Sequence, residues 1–198
     1  MISISRNKLK AASRFMAHDD VRYYLNGLLL ESNATQTRVV ATNGHTLFAA
    51  YDSAEDQIEF SGIVPDTAIK QILGWKGKGD MPVVFTVNPA GEQRACWNGN
   101  TAVFQLIEGT FPDYTRILPT ALSGEAAFYD PEYLMRCSKA AADLGGPFAF
   151  KQNGDSPGIA VFSPQAFAVV MPMRNKVADV ESLAWARAPA RPKLQAVA

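Results

Sequence analysis

In the segment Ala41-Thr42-Asn43-Gly44-His45-Thr46-Leu47 an imidazole stands beside a hydroxyl and an amide, residue types from which a nucleophile and its base can be built. Such a site needs further acid or base groups to complete it. His18 is the only other histidine, and no paired carboxylates, Cys/His pair or glycine-rich phosphate loop stands out. Cys96 and Cys137 are too few for a disulfide framework and lack metal-ligand spacing. Both read as small buried apolar residues in a reducing compartment. An enzyme is therefore not expected, and neither a catalytic residue, a metal nor a cofactor is assigned. The chemistry left to this chain is binding.

Two features could supply it. The first is Ala168-Val169-Val170-Met171-Pro172-Met173-Arg174, where an apolar strand runs into a proline flanked by methionines. Proline is tolerated at the end of a strand, and methionine recurs on surfaces that accept varied apolar partners. The string reads as the wall of a binding groove, or as a plain core strand. The second feature is basic. Arg6, Lys10 and Arg14 recur every four residues and form one helical stripe, apart from Leu9, Ala12 and Met16. Lys70 with Lys76 and Lys78, and Arg136 with Lys139, repeat the feature further on. Acidic residues cluster elsewhere, at Asp19, Asp20, Asp52, Glu55, Asp56 and Glu59. The 19 basic and 19 acidic residues cancel overall, which hides a polarised surface able to meet phosphate on one face. No set of Asn, Gln and Arg is arranged to read base edges, so contact with nucleic acid would be sequence-independent. An ordinary solvated helix face is the alternative.

The elements that must position these residues form a repeat. Gly62-Ile63-Val64-Pro65-Asp66 and Ala127-Phe128-Tyr129-Asp130-Pro131 each open with a short apolar strand and place a proline where a helix starts. Glycines end the helices, at Gly77 and Gly79 and at Gly145 and Gly146. Three strands follow each helix: 83–87, 93–97 and 101–107 in one, 148–151, 158–162 and 166–171 in the other. An earlier unit fits less tidily, with a strand at 1–5, a helix over 6–16, and strands at 23–30, 37–42 and 46–51. Three βαβββ units result, at 1–53, 57–114 and 125–174, in an α+β fold with antiparallel sheets. Residues 119–124 read as a linker, and 175–198, rich in Ala, Pro and Arg, as a disordered tail. The 198 residues suffice for one large or two small domains. No apolar run approaches the ~18 residues a membrane span needs, and the N-terminus lacks a signal-peptide core, so the expected location is cytoplasmic.

Four segments in order carry a family resemblance: Asp20-Val21-Arg22-Tyr23-Tyr24-Leu25-Asn26-Gly27, Ala41 to Leu47, Phe111-Pro112-Asp113-Tyr114-Thr115-Arg116-Ile117-Leu118-Pro119, and Val169 to Arg174. Together they resemble the bacterial DNA polymerase III β subunit family, the β sliding clamps, over about residues 1–174. The resemblance implies a DNA-clamp fold: a complete clamp domain at 1–118, like the family's second, and a half domain at 125–174, like the end of its third. It implies helices on the DNA-facing side, bringing Arg6, Lys10, Arg14, Lys70, Lys76, Arg136 and Lys139 to duplex DNA. It also implies a pocket for short peptides of polymerases and other DNA-processing proteins. That pocket would be formed by Leu25, Thr42, Gly44, His45, Thr46 and Leu47, by Pro112, Arg116 and Ile117, and by Tyr133, Val169, Val170, Met171, Pro172, Met173 and Arg174. A clamp loader is a further candidate partner.

Two departures stand out. Asn43 and Thr46 replace an Asp and an Arg usual in the family's second segment, removing a cation from the pocket rim. The family's first domain and the first half of its third have no counterpart in the 198 residues. Isologous pairing of third units would complete the half domain. If the first units also meet across a two-fold, four chains supply the twelve units of a closed ring, which predicts a homotetramer. The competing expectation is an interaction module that keeps the pocket and never encircles DNA.

Overall fold

The computed structural model describes residues 1–53, 55, 58–77, 79–87 and 92–174. The expectations placed on Lys78, Asp56 and the tail 175–198 lie outside the described residues. The first unit comprises β1 (Ile2–Ser5), α1 (Arg6–Ser13), β2 (Gly27–Asn33), β3 (Gln36–Thr42) and β4 (Thr46–Ser53). The second comprises β5 (Phe60–Pro65), α2 (Asp66–Gly74), β6 (Pro82–Val87), β7 (Gln93–Trp97) and β8 (Asn100–Phe104). The third comprises α3 (Pro131–Leu144), β9 (Ala149–Lys151), β10 (Gly158–Ser163) and β11 (Ala166–Val170).

Local chemistry fixes the helix ends. The Ser5 hydroxyl accepts from the Lys8 amide at 3.3 Å and caps α1. Asp130 caps α3 by accepting from the Glu132 amide at 2.8 Å, with Pro131 opening the first turn. Gly145 closes α3 at φ 79°, a left-handed conformation that side chains resist. Other boundaries differ from the sequence reading. Helix α1 stops at Ser13, and Phe15 and Met16 leave it to enter the core. Residues 23–25 form a 3-10 turn rather than strand, closed by the Asn26 amide on the Tyr23 carbonyl. Helix α2 ends at Gly74, because Trp75 is already extended. Beyond Phe104, Ile107 makes a single bridge to Ile63. The strand expected before α3 reduces to one bridge, Phe128 to Met173, among the described residues. Cys137 is buried, but Cys96 is half-exposed on β7, its sulfur 3.5 Å from the Thr101 hydroxyl.

The units do not keep their own first strands. β1 joins the second unit's sheet, giving the order β1-β6-β7-β8, and β5 joins the first unit's strands. That second sheet continues through the third unit in the order β5-β2-β3-β4-β11-β10-β9. All pairings are antiparallel. The alternation of strand side chains divides the apolar residues between two faces of the seven-stranded sheet. Leu28, Leu30, Phe48 and Val170 enter the main core with Leu9 of α1 and Ile69 and Ile72 of α2. Leu29, Val40, Leu47, Ala49, Ile63 and Val169 form a smaller cluster on the other face. Phe15 stacks on Phe48 at 5.4 Å and anchors α1 on the sheet, where truncating either ring would cost about 3–5 kcal/mol.

Candidate functional site

Pairing of β4 with β11 builds the apolar floor of the first candidate surface. It sets Val169 opposite Leu47 and Val170 opposite Thr46, and the Met171 amide donates to the His45 carbonyl at 3.0 Å. Leu47 and Val169 share the outer cluster with Tyr114, and Tyr24, Phe111 and Leu118 pack against it. Each of the four segments singled out in the sequence thus contributes a residue to one cluster. Tyr114 fastens the 111–118 segment: its hydroxyl accepts from Arg38 Nη1 at 2.6 Å and donates to Glu31 Oε2 at 3.0 Å. Ile117, Met171 and Met173 are exposed, as are Pro112, Arg116 and Arg174, and Pro172 is half-buried. The His45 ring lies 5.9 Å from that of Tyr133 and nearly parallel to it, so α3 supplies one flank. Val170 is not part of this floor, because its side chain enters the main core. Leu25 is buried in the 3-10 turn.

The turn between β3 and β4 accounts for one departure from the family pattern. Asn43 Oδ1 accepts from the His45 amide at 3.0 Å, the Thr46 amide at 2.8 Å and the Thr46 hydroxyl at 3.0 Å. Thr42 Oγ1 donates to the Thr46 carbonyl at 2.7 Å and accepts from the Gly44 amide at 3.1 Å. An uncharged amide oxygen therefore organises the turn, and Thr46 is buried rather than extended into the rim. Gly44 sits at φ 90°, and a Cβ there would lie 2.8 Å from Arg22 Nη1. Arg22 Nη2 donates to the Asn43 carbonyl at 3.2 Å and to Asp20 Oδ2 at 2.7 Å. Hydrogen bonds from the Arg22 side chain and amide hold the Asp20 carboxyl down at about 2. Arg22 thus puts a cation beside the turn that Thr46 leaves uncharged. The spacing of the sequence gives Arg22 no role of its own, and Asp20 two residues earlier is its one local signal.

The second candidate surface lies on the helix side, where α1 packs against both α2 and α3. A cleft of about 340 Å³ between the helices is lined by Arg14, His18, Lys70, Glu132, Arg136 and Lys139, among others. Four predicted cations therefore meet there, but several are engaged. Lys10 Nζ and Arg14 Nε grip the two oxygens of Asp143 at 2.7 and 2.8 Å, and the Asp143 side chain is only 7% exposed. Burial works against the charge on Asp143, yet the hydrogen bonds from Arg14 and Lys10 outweigh it and hold the carboxyl below its ordinary value. Arg136 donates to the Arg14 carbonyl at 3.0 Å, and Lys70 pairs with Asp66 at 2.6 Å. Arg6 turns away from the stripe. Its Nη2 donates to the carbonyls of Leu73 and Trp75 at 2.7 and 3.0 Å, and its guanidinium lies 4.4 Å above the Trp97 ring. Lys76 and Lys139 are exposed and make no ion pair among the described residues.

No group of three metal-ligating side chains occurs among the described residues, and no helix there is long and apolar enough to cross a membrane. Burial pushes the Cys137 thiol up to about 12, which makes it a poor nucleophile.

Residues 4–113 match the family described as DNA polymerase III beta subunit, central domain. Among curated proteins, the beta sliding clamp of Escherichia coli K12 is 36% identical over 114 residues, covering 57% of this chain and 31% of that protein. The beta sliding clamp of Pseudomonas aeruginosa is 38% identical over 125 residues, covering 59% of this chain and 33% of its own length. The chain matches about a third of the length of these relatives. The crystal structure of the Pseudomonas aeruginosa DNA polymerase III subunit beta superposes with a TM-score of 0.70 at 24% identity, over 88% of this chain and 66% of that one. The Thermotoga maritima subunit does so at 13% identity with the same TM-score, over 89% and 66%. At these identities the superpositions speak for the fold.

Proposed function

The chain belongs to the DNA polymerase III β subunit family through its central domain, and from that premise we propose that it is a DNA sliding clamp. It encircles duplex DNA without sequence preference as a ring of several copies, four being the number that supplies twelve units. It performs no chemistry. It tethers a polymerase or another DNA-processing protein by holding a short peptide of that partner, which raises the partner's effective concentration at the DNA. A clamp loader is proposed to open and close the ring, in the cytoplasm.

The observation that carries this reading is the β4–β11 seam. It gathers Leu47, Tyr114 and Val169 into one apolar cluster, and the segments that supply them also carry the exposed Met171, Met173 and Ile117 and the exposed His45. Such a groove suits a peptide with aliphatic and aromatic anchors. Arg14, Lys70, Arg136 and Lys139 around the helix-side cleft support a loose phosphate track on the opposite side of the sheet.

A second reading is favoured by the engagement of Arg6, Lys10 and Arg14 within the protein, which leaves fewer cations free for phosphate. On it, the chain binds or sequesters peptide-bearing partners without encircling DNA. Retention on closed circular DNA separates the two. A clamp stays on the circle at salt concentrations that strip surface-bound proteins and is lost when the circle is cut. Equal loss from circular and linear DNA, loader included, would establish the second reading.

A further inference from the structure

We infer that β9 is the docking edge for a second copy of this chain, which inserts its Ala127–Tyr129 segment there as an antiparallel strand and receives the same segment in return. This names the contact between copies that the ring reading requires, and it rests on that reading only for the use to which the contact is put.

The rule of exchange is written twice within the chain. The strand preceding α1 leaves its own unit and pairs with β6, setting Ile2 opposite Phe85 and Ile4 opposite Val83. The strand preceding α2 leaves its unit and pairs with β2, setting Gly62 opposite Leu30 and Val64 opposite Leu28. In both cases the receiving strand is the first one after the other unit's helix. Counted back from the helix starts at Arg6, Asp66 and Pro131, the residues Ile4, Val64 and Tyr129 are equivalent, as are Ile2, Gly62 and Ala127.

In the third unit the receiving strand is β9. Phe150 pairs with Ala160 as Phe85 pairs with Ala95, so the two strands hold the same place. However, among the described residues β9 ends the seven-stranded sheet with no strand beyond it. The consequence is visible in burial. Val83 and Leu28 are fully buried, and Phe85 and Leu30 nearly so, at the two covered positions. The equivalent Phe148 and Phe150 are half-exposed, and Ala149 and Lys151 are exposed. An uncovered edge with aromatic side chains beneath it invites pairing with another strand.

Among the described residues, the chain does not supply that strand itself. Between β8 and α3 it forms the Ile107 bridge, the 3-10 turn Tyr114–Ile117 and the Phe128 bridge, and residues 127–129 lie against their own unit without a ladder to β9: the Ala127 amide donates to Gln152 Oε1 at 2.9 Å and the Tyr129 ring lies 4.8 Å from that of Phe150, contacts that the exchange would hand to the second copy. Residues 127–129 are the one donor that the internal rule specifies. Carried over residue by residue, the rule sets Ala127 opposite Phe150 of a second copy, Phe128 opposite Ala149, and Tyr129 opposite Phe148. Because donor and acceptor lie in one unit, the exchange is isologous: a two-fold axis satisfies both edges and closes the contact.

Cysteines at the central pair test the register. The full-length chain carrying both Phe128→Cys and Ala149→Cys, oxidised under mild conditions, is expected to run mainly as a covalent dimer, with neither single variant exceeding background. Hydrogen exchange on the unmodified chain gives a second readout that does not depend on a variant's folding. The amides of 149–151 and 127–129 should gain protection together as concentration rises. A chain that is monomeric by light scattering at high micromolar concentration overturns the inference. So does an oligomer in which the cysteine pair stays uncrosslinked and the β9 amides stay unprotected, an outcome that leaves the ring reading standing. A cross-linked dimer that is not retained on circular DNA establishes the contact and removes the ring.

Discussion

Leu47 and Val169 face each other across the β4–β11 pair, one from the first unit and one from the third, and both are buried. The floor of the proposed peptide groove is therefore also the joint between units. Leu47→Ala should destabilise the protein by about 2–5 kcal/mol as a buried leucine truncation. Met173 is 45% exposed and carries little of that load. Met173→Ala should leave thermal stability nearly unchanged while weakening a polymerase-derived clamp-binding peptide about tenfold or more by calorimetry, about 1.4 kcal/mol. Unchanged affinity in Met173→Ala would remove the groove assignment.

The Asn43 side chain organises the adjacent turn through Oδ1. Asn43→Ala should cost about 1–3 kcal/mol, since the donors that share that oxygen lose their partner. Asn43→Asp keeps the acceptor and places a carboxylate near Arg22, so its melting midpoint should stay close to that of the unmodified chain. Equal destabilisation by both variants would show that the Asn43 amide nitrogen matters instead.

Salt dependence of DNA binding should separate free from engaged cations. Lys139→Glu and Lys76→Glu should each flatten the slope of log K against log salt by about 0.9 per lost phosphate contact. Asp143→Asn releases Lys10 and Arg14 from their shared carboxylate and should steepen that slope. Arg6→Glu should lower stability more than it changes the slope, because the guanidinium serves the end of α2. A slope altered by Arg6→Glu alone, with no loss of stability, would return Arg6 to the phosphate track.

Acid should loosen the contact between α1 and α3. The folded-state pKa of Asp143 is held below its ordinary 3.8, so its contribution is complete above that value and is lost as pH falls through the depressed one. Thermal melting followed from about pH 5 to pH 2 should show a stability loss that Asp143→Asn lacks. Parallel pH curves for the two proteins would assign the loss to other carboxylates.

Local signals made the helices legible. Asp130-Pro131 and Gly145 announce α3 at both ends, because capping is settled by residues that touch each other along the chain. The four quoted segments were legible as a group, and the structure places a residue of each in one cluster. The exchange of β1 and β5 between units was not legible, because strand pairing over such separations leaves no mark in the spacing of either strand. The fate of Arg6 was hidden for the same reason. Helical periodicity puts it in line with Lys10 and Arg14, but Trp97 and the Leu73 carbonyl, which hold it, arrive from the second unit. The family resemblance implies a groove position for Val170, but the pleat turns its side chain to the core.

The backbone bond between Met173 and Phe128, 2.7 Å from amide nitrogen to carbonyl oxygen, ties the groove wall to the segment leading into α3. A peptide gripping Met173 and a second copy drawing out residues 127–129 would thus act on two ends of one bridge. Thermodynamic reciprocity then applies: whatever factor cargo binding lends to association between copies, association lends back to cargo affinity. Cargo would report on whether the assembly is closed, and the assembly on whether it is loaded.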